Sequence, residues 1–129
     1  MRLHIVVATP PGEAGRGVYG LQAKDGSVRD GRQNADGSMA FDCEVRVATS
    51  ASGRDPNFLG QFTHGPPSAR HLYISHRGPG TPPPEWTWRM KLPLAPITWA
   101  DLDAAGRDGL QTRVEGRSSG TVPVDWRPR

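Results

Sequence analysis

Between residues 55 and 78 the chain reads DPNFLGQFTHGPPSARHLYISHRG, which sets His64, His71 and His76 beside Arg70, Arg77 and a Pro-Pro corner. Three imidazoles invite a zinc reading, because neutral imidazole is a common zinc ligand. The spacing argues against it. His71 and His76 stand five apart on one predicted strand and so point to opposite faces, His64 lies across a turn, and no carboxylate repeats nearby at ligand spacing. No metal site and no cofactor are expected. Nucleophilic catalysis fares little better. Cys43 falls on the apolar side of its strand, where a free thiol serves as a small hydrophobe. Ser75 and His76 are neighbours that face apart, and GRGVYG is too loose to count as a phosphate loop.

Acid–base and anion chemistry remain. Alternation puts His71, Tyr73 and Ser75 on the watery side of one strand, Asp42, Glu44 and Arg46 on that of a second, and Arg89 with Lys91 on that of a third. If these sides meet, they form a cleft beside the 56–67 loop. Arg46, Arg89, Lys91, His71, Tyr73 and Trp86 are then the ligand-binding candidates, with Arg89 as a clamp for a carboxylate or phosphate. His71, Tyr73 or His64 beside Glu44 supplies a candidate general acid or base. The plainer alternative is a solvated sheet face whose opposite charges pair across strands.

The elements that must hold these residues read as short strands. RLHIVVA (2–8) and VYGLQA (18–23) are predicted strands on either side of a loop at 9–17. KDGSVRDGRQNADGS (24–38) lacks any period and reads as one long glycine-rich loop, either a lid or mobile decoration. MAFDCEVRVA (39–48) alternates cleanly, with Met39, Phe41, Cys43, Val45 and Val47 inward. A short element at 58–62 follows, anchored by Phe58 and Phe62, and the Pro66-Pro67 corner stiffens the chain next to Gly65, which allows close backbone approach. RHLYISH (70–76) directs Leu72 and Ile74 inward, and WTWRMKL (86–92) places Trp86, Trp88, Met90 and Leu92 on one face. The one helix signal lies near 98–105, with Thr98 as N-cap, Asp101 three residues on and Gly106 at its end. One or two further strands fall within GLQTRVEGR and TVPVDW. This pattern predicts a mainly β fold, a small antiparallel sandwich or barrel with one short α-helix, in a single domain spanning 1–129.

Bulk properties narrow the function classes. A chain of 129 residues suits one domain, and 35% hydrophobic with 22% charged residues suits a packed core rather than disorder. One cysteine excludes an internal disulfide, and the apolar run after Met1 is too short for a signal segment or a membrane span. A cytoplasmic location is the expectation. The net charge of +3 comes from scattered arginines with no basic run, so nucleic acid is a weak candidate partner.

PNFLGQFTHGPPSARHLYI followed by WTWRMKLPLAPITWADL resembles the bacterial family catalogued as domain of unknown function 5990. The strand leading to YGLQ, the FDCEVRV strand and the closing Trp126-Arg127 fit the same pattern, so the resemblance covers nearly the whole chain. It departs in one place: His64 stands before Gly-Pro-Pro where an uncharged residue is expected. The resemblance implies a stand-alone bacterial domain and brings no activity or catalytic residues. The leading expectation is a binding domain for a small ligand, an anion among the candidates, or for a protein partner. A cofactor-independent isomerase or hydrolase, and a nucleic-acid-binding barrel, are its alternatives.

Overall fold

A computed structural model describes residues 1–9, 17–117 and 119–129. The strands run β1 (Arg2–Ala8), β2 (Val18–Gln22), β3 (Val28–Asp30), β4 (Arg32–Gln33), β5 (Met39–Glu44), β6 (Arg46–Thr49), β7 (Pro56–Leu59), β8 (His71–Arg77) and β9 (Trp88–Pro93). After these come the helix α1 (Trp99–Ala105) and the strands β10 (Leu110–Glu115), β11 (Gly120–Thr121) and β12 (Arg127–Pro128). Of the loop expected at 9–17, residues 10–16 lie outside the described residues.

Two open five-stranded sheets carry the fold, in the orders β12-β10-β1-β5-β4 and β11-β9-β8-β2-β3, with β6 and β7 as a separate ribbon. Neither sheet closes on itself, so the architecture is a sandwich and not a barrel. Most neighbours are antiparallel as expected, but β1 pairs with β10 and β9 with β11 in parallel. The reason is topological. Neither parallel pair is joined by a tight hairpin, which would force antiparallel pairing: β1 and β10 stand at opposite ends of the chain, and between β9 and β11 the chain passes through α1 and then β10 in the other sheet.

The core lies between the sheets. Leu3, Ile5 and Val7 of β1, Phe41 and Cys43 of β5, and Leu110 and Val114 of β10 meet Leu21 of β2, Leu72 and Ile74 of β8, and Met90 and Leu92 of β9, all buried. Each set comes from alternate positions, since successive strand side chains point to opposite faces. The helix covers one end by burying Leu102 and Ala105, and its capping box is complete. Thr98 Oγ1 accepts from the Asp101 amide at 3.2 Å while Asp101 Oδ2 accepts from the Thr98 amide at 2.8 Å.

Two expectations about local structure need correction. The strand foreseen at 39–48 is two strands. At Val45 the backbone turns to donate to the Met1 carbonyl at 2.9 Å, and β6 leaves the sheet to pair with β7. Segment 24–38 is not one loop either, for it contains β3 and β4. Its order comes from two Asp-Gly-Ser turns. Asp25 Oδ1 accepts from the amide and hydroxyl of Ser27 at 2.9 and 2.6 Å, and Asp36 repeats this with Ser38 at 2.9 and 2.5 Å. Those bonds hold both carboxyls below their ordinary value. Gly26 and Gly37 sit at φ of 88° and 87°, in the left-handed region that closes a hairpin through a bulge.

Candidate functional site

The outer face of the second sheet brings together most of the residues singled out for chemistry. Strand β8 presents His71, Tyr73, Ser75 and Arg77 there, and β9 presents Arg89 and Lys91 in register: Lys91 opposite Tyr73, and Arg89 opposite Ser75. His64 joins through a bridge to His71, with paired backbone bonds of 2.9 and 3.1 Å. The rings of His64, His71 and Tyr73 then form one cluster. Tyr73 lies 4.6 Å from His71 edge-on and 4.9 Å from His64, and the two imidazoles stack at 6.1 Å.

His71 was expected in water and is instead buried, 5% exposed. The fold closes over it with Gly65, whose positive φ of 85° and missing side chain make room for the ring; a Cβ there would come within 2.9 Å of His71 Cε1. The close approach foreseen for Gly65 therefore falls on this histidine. Nδ1 of His71 lies 2.9 Å from the Ala69 carbonyl. A carbonyl only accepts, so Nδ1 carries the proton and Nε2 is left as the acceptor. Nε2 is buried with no hydrogen-bond partner among the described residues. Burial pushes the His71 pKa below its ordinary value; the bond to Ala69 opposes this, and the positive charges of Lys91, His64 and Arg89 reinforce it. His71 is thus neutral at pH 7.

The cations around it are held but not neutralised. The Arg89 guanidinium lies 3.9 Å from the Tyr73 ring centre and 4.7 Å from that of Trp86. Its one protein acceptor among the described residues is Gln22 Oε1, at 3.5 Å. The Lys91 ammonium has neither an ion-pair nor a hydrogen-bond partner among them. Trp86, expected to share a face with Trp88, lies with Arg89 on the outer side, because the chain enters β9 only at Trp88. Trp88 stacks on His76 toward the core, at 4.6 Å and 6° between planes. At the far end of this face Arg77 is buried and pairs with Asp30 at 2.5 Å.

Glu44 and Arg46 do not join this group. Glu44 ends β5, in the other sheet, and answers Arg2 across the strand pair at 3.7 Å. Arg46 opens the β6–β7 ribbon. The expected cleft uniting strands 39–48, 70–76 and 86–92 is therefore not assembled, since the polar sides of β5 and β8 look outward from opposite sheets. Histidine and phenol come together without the carboxylate foreseen for them. Reasoning along the chain missed Gln22, whose carbonyl holds His64 Nε2 at 3.0 Å and whose side chain meets Arg89. Its only signal was the register of β2 against β8.

The outer side of the first sheet behaves differently. Arg2, Arg29, Arg32 and Arg129 border an open basin of about 680 Å³ around Asp42 and Glu44. Asp42 is met by His4 at 2.8 Å, Arg129 at 3.4 Å and Arg32 at 4.0 Å. Partial burial works to raise the Asp42 pKa, but these partners outweigh it and hold the carboxyl below its ordinary value. Cross-strand charges here answer each other, as on an ordinary wet face. Cys43 lies under this basin, and burial pushes its thiol up to about 12. Among the described residues no three His, Cys, Asp or Glu side chains are placed to hold a metal ion.

Fold and site together define a small mixed-sheet β-sandwich domain with a cationic, aromatic outer face. A family profile described as a family of unknown function, DUF5990, matches residues 1–127, and the chain belongs to that family. No curated protein and no solved structure matches it. Among the described residues no helix is long and apolar enough to cross a membrane.

Proposed function

We propose that this domain binds a small anion, carboxylate or phosphate in character, on the outer face of its second sheet. Arg89 and Lys91 would hold the charge, with Tyr73 and Trp86 as walls. One observation carries the reading: Arg89 and Lys91 stand two apart on β9 with no carboxylate in ion-pair range among the described residues. Their cross-strand partners are Ser75 and Tyr73, whereas on the first sheet Arg2 faces Glu44 and His4 faces Asp42. A merely solvated face has the second pattern. The aromatic rings hold the guanidinium in place, which lowers the entropy lost when it meets a planar anion. A flat protein partner is less well supported, since the exposed large hydrophobics among the described residues, Val18, Trp86 and Trp99, lie on three separate segments, β2, the connection before β9 and α1.

Titration of the chain with inorganic phosphate and with succinate, followed by two-dimensional NMR, tests this. Saturable shifts are expected at Tyr73, Lys91 and the Trp86 indole. Arg89→Ala should remove about 1.5–3 kcal/mol of binding, roughly 10- to 150-fold in affinity. Shifts confined to Arg2, Arg29 and Arg32, or an Arg89→Ala protein that binds as before, would reject the proposal.

A further inference from the structure

The DPNF and PPSAR ends of the central stretch line a second cavity, of about 340 Å³, away from the face just described. Its apolar lining includes Pro56, Phe58 and Pro67, and Phe58 is buried against the core. Pro66 and Pro67 lead into a single turn of 3-10 helix, Pro67–Ala69, which makes this wall stiff. Two opposite charges also line it. The Asp55 carboxylate makes no hydrogen bond and no ion pair among the described residues. Only the backbone of Asp55 is engaged, its amide with Ser50 Oγ at 3.3 Å and its carbonyl with the Ser50 amide at 3.0 Å. Arg70 donates from Nη1 to the Gly65 carbonyl, while its Nε is buried without an acceptor. Its guanidinium has no carboxylate within ion-pair range among the described residues, Asp55 included. One cavity thus holds an unanswered cation and an unanswered anion, kept apart, over an apolar floor.

We propose that this cavity is a site for a small zwitterion with the chemistry of a free α-amino acid bearing an apolar side chain. Arg70 takes the carboxylate, Asp55 takes the ammonium, and the side chain rests on Phe58 between Pro56 and Pro67. A simple anion meets repulsion from Asp55 and a simple cation meets it from Arg70, so a ligand needs both charges to satisfy the site. The volume lies at the lower end of the range for small-molecule pockets, which suits a ligand of this size.

The test is a calorimetric and NMR titration of the full chain with leucine, and in parallel with N-acetyl-leucine and leucinamide, which each lack one charge. The expected result is saturable binding of leucine with shifts at Ser52, Asp55, Phe58 and Arg70. Each blocked form should bind about tenfold more weakly or worse, and Asp55→Asn and Arg70→Ala should each lose binding to a similar degree. If Arg70→Ala fails to fold, as judged by its amide spectrum, Arg70→Lys takes its place, because a point charge without the planar fork should still weaken carboxylate binding. The proposal is overturned if valine, leucine, methionine and phenylalanine all fail to produce saturable shifts up to about 10 mM. It is overturned equally if the blocked forms bind as well as leucine, or if binding ignores the substitutions.

Discussion

Replacing Gly65 by alanine puts the burial of His71 to a quantitative test. Gly65 has φ of +85°, and an added Cβ would lie 2.9 Å from His71 Cε1, 3.0 Å from the Ala69 carbonyl oxygen and 3.1 Å from His71 Nδ1. The backbone term alone is about 1–3 kcal/mol for a residue with a side chain in this region. Ordinary contacts are about 3.5–4.0 Å, so the ring must also move. Crowding of this kind costs about 1–3 kcal/mol in all, part of it through the His71–Ala69 hydrogen bond, worth about 0.5–1.5 kcal/mol. Gly26→Ala separates the terms: its φ is +88°, and nothing lies within 4 Å of the added Cβ. Gly65→Ala should therefore be less stable than Gly26→Ala by about 1–3 kcal/mol. For a chain of 129 residues that is a gap of about 3–15 °C in melting temperature. Differential scanning calorimetry measures the gap, and the same pair of substitutions in a His71→Ala background should narrow it, since the ring's share of the crowding is gone. Equal melting of the two single variants, or a gap untouched by His71→Ala, would refute the placement of His71 under this turn.

Further expectations concern the core, the helix, the histidine and the thiol. Phe41, 2% exposed, should cost about 3–5 kcal/mol when cut to alanine; a chemical denaturation curve unchanged from wild type would contradict its inward facing. Thr98→Ala breaks one arm of the capping box and should lose about 0.5–2 kcal/mol in the same assay. His71 titrates below its ordinary 6.5 in the folded chain, so beneath that value the unfolded chain binds a proton that the folded chain refuses. Stability should fall as pH drops through this window, and His71→Gln should remove that part of the fall. Parallel stability curves for the two proteins between about pH 7 and 5 would refute the assignment. Cys43, with its thiol pushed up to about 12, should resist iodoacetamide in the native protein at neutral pH and react on denaturation; rapid native labelling would contradict its burial.

Much of the architecture was legible along the chain because strand facing is a local property. The alternation of Leu3, Ile5 and Val7, of Phe41 and Cys43, and of Met90 and Leu92 appears in the sandwich as buried sides. Thr98, Asp101 and Gly106 marked the helix because capping is settled within one turn. The two Asp-Gly-Ser turns were equally local, yet the missing hydrophobic period around them hid β3 and β4, whose stability comes from pairing with β2 and β5.

What the sequence by itself determined is the side of each strand that faces the core and the places where the chain turns, since both depend on neighbours one to four residues away. Only the tertiary structure decided which polar sides meet. It sent Glu44 to Arg2 on one sheet and set His71 against Tyr73, Arg89 and Lys91 on the other. It also buried His71 on the nominally wet side of β8, because His64 and Gly65 return from a preceding loop to cover it. Pairing partners and covering loops are long-range choices, won by the summed burial of both sheets, and no spacing within a single strand records them.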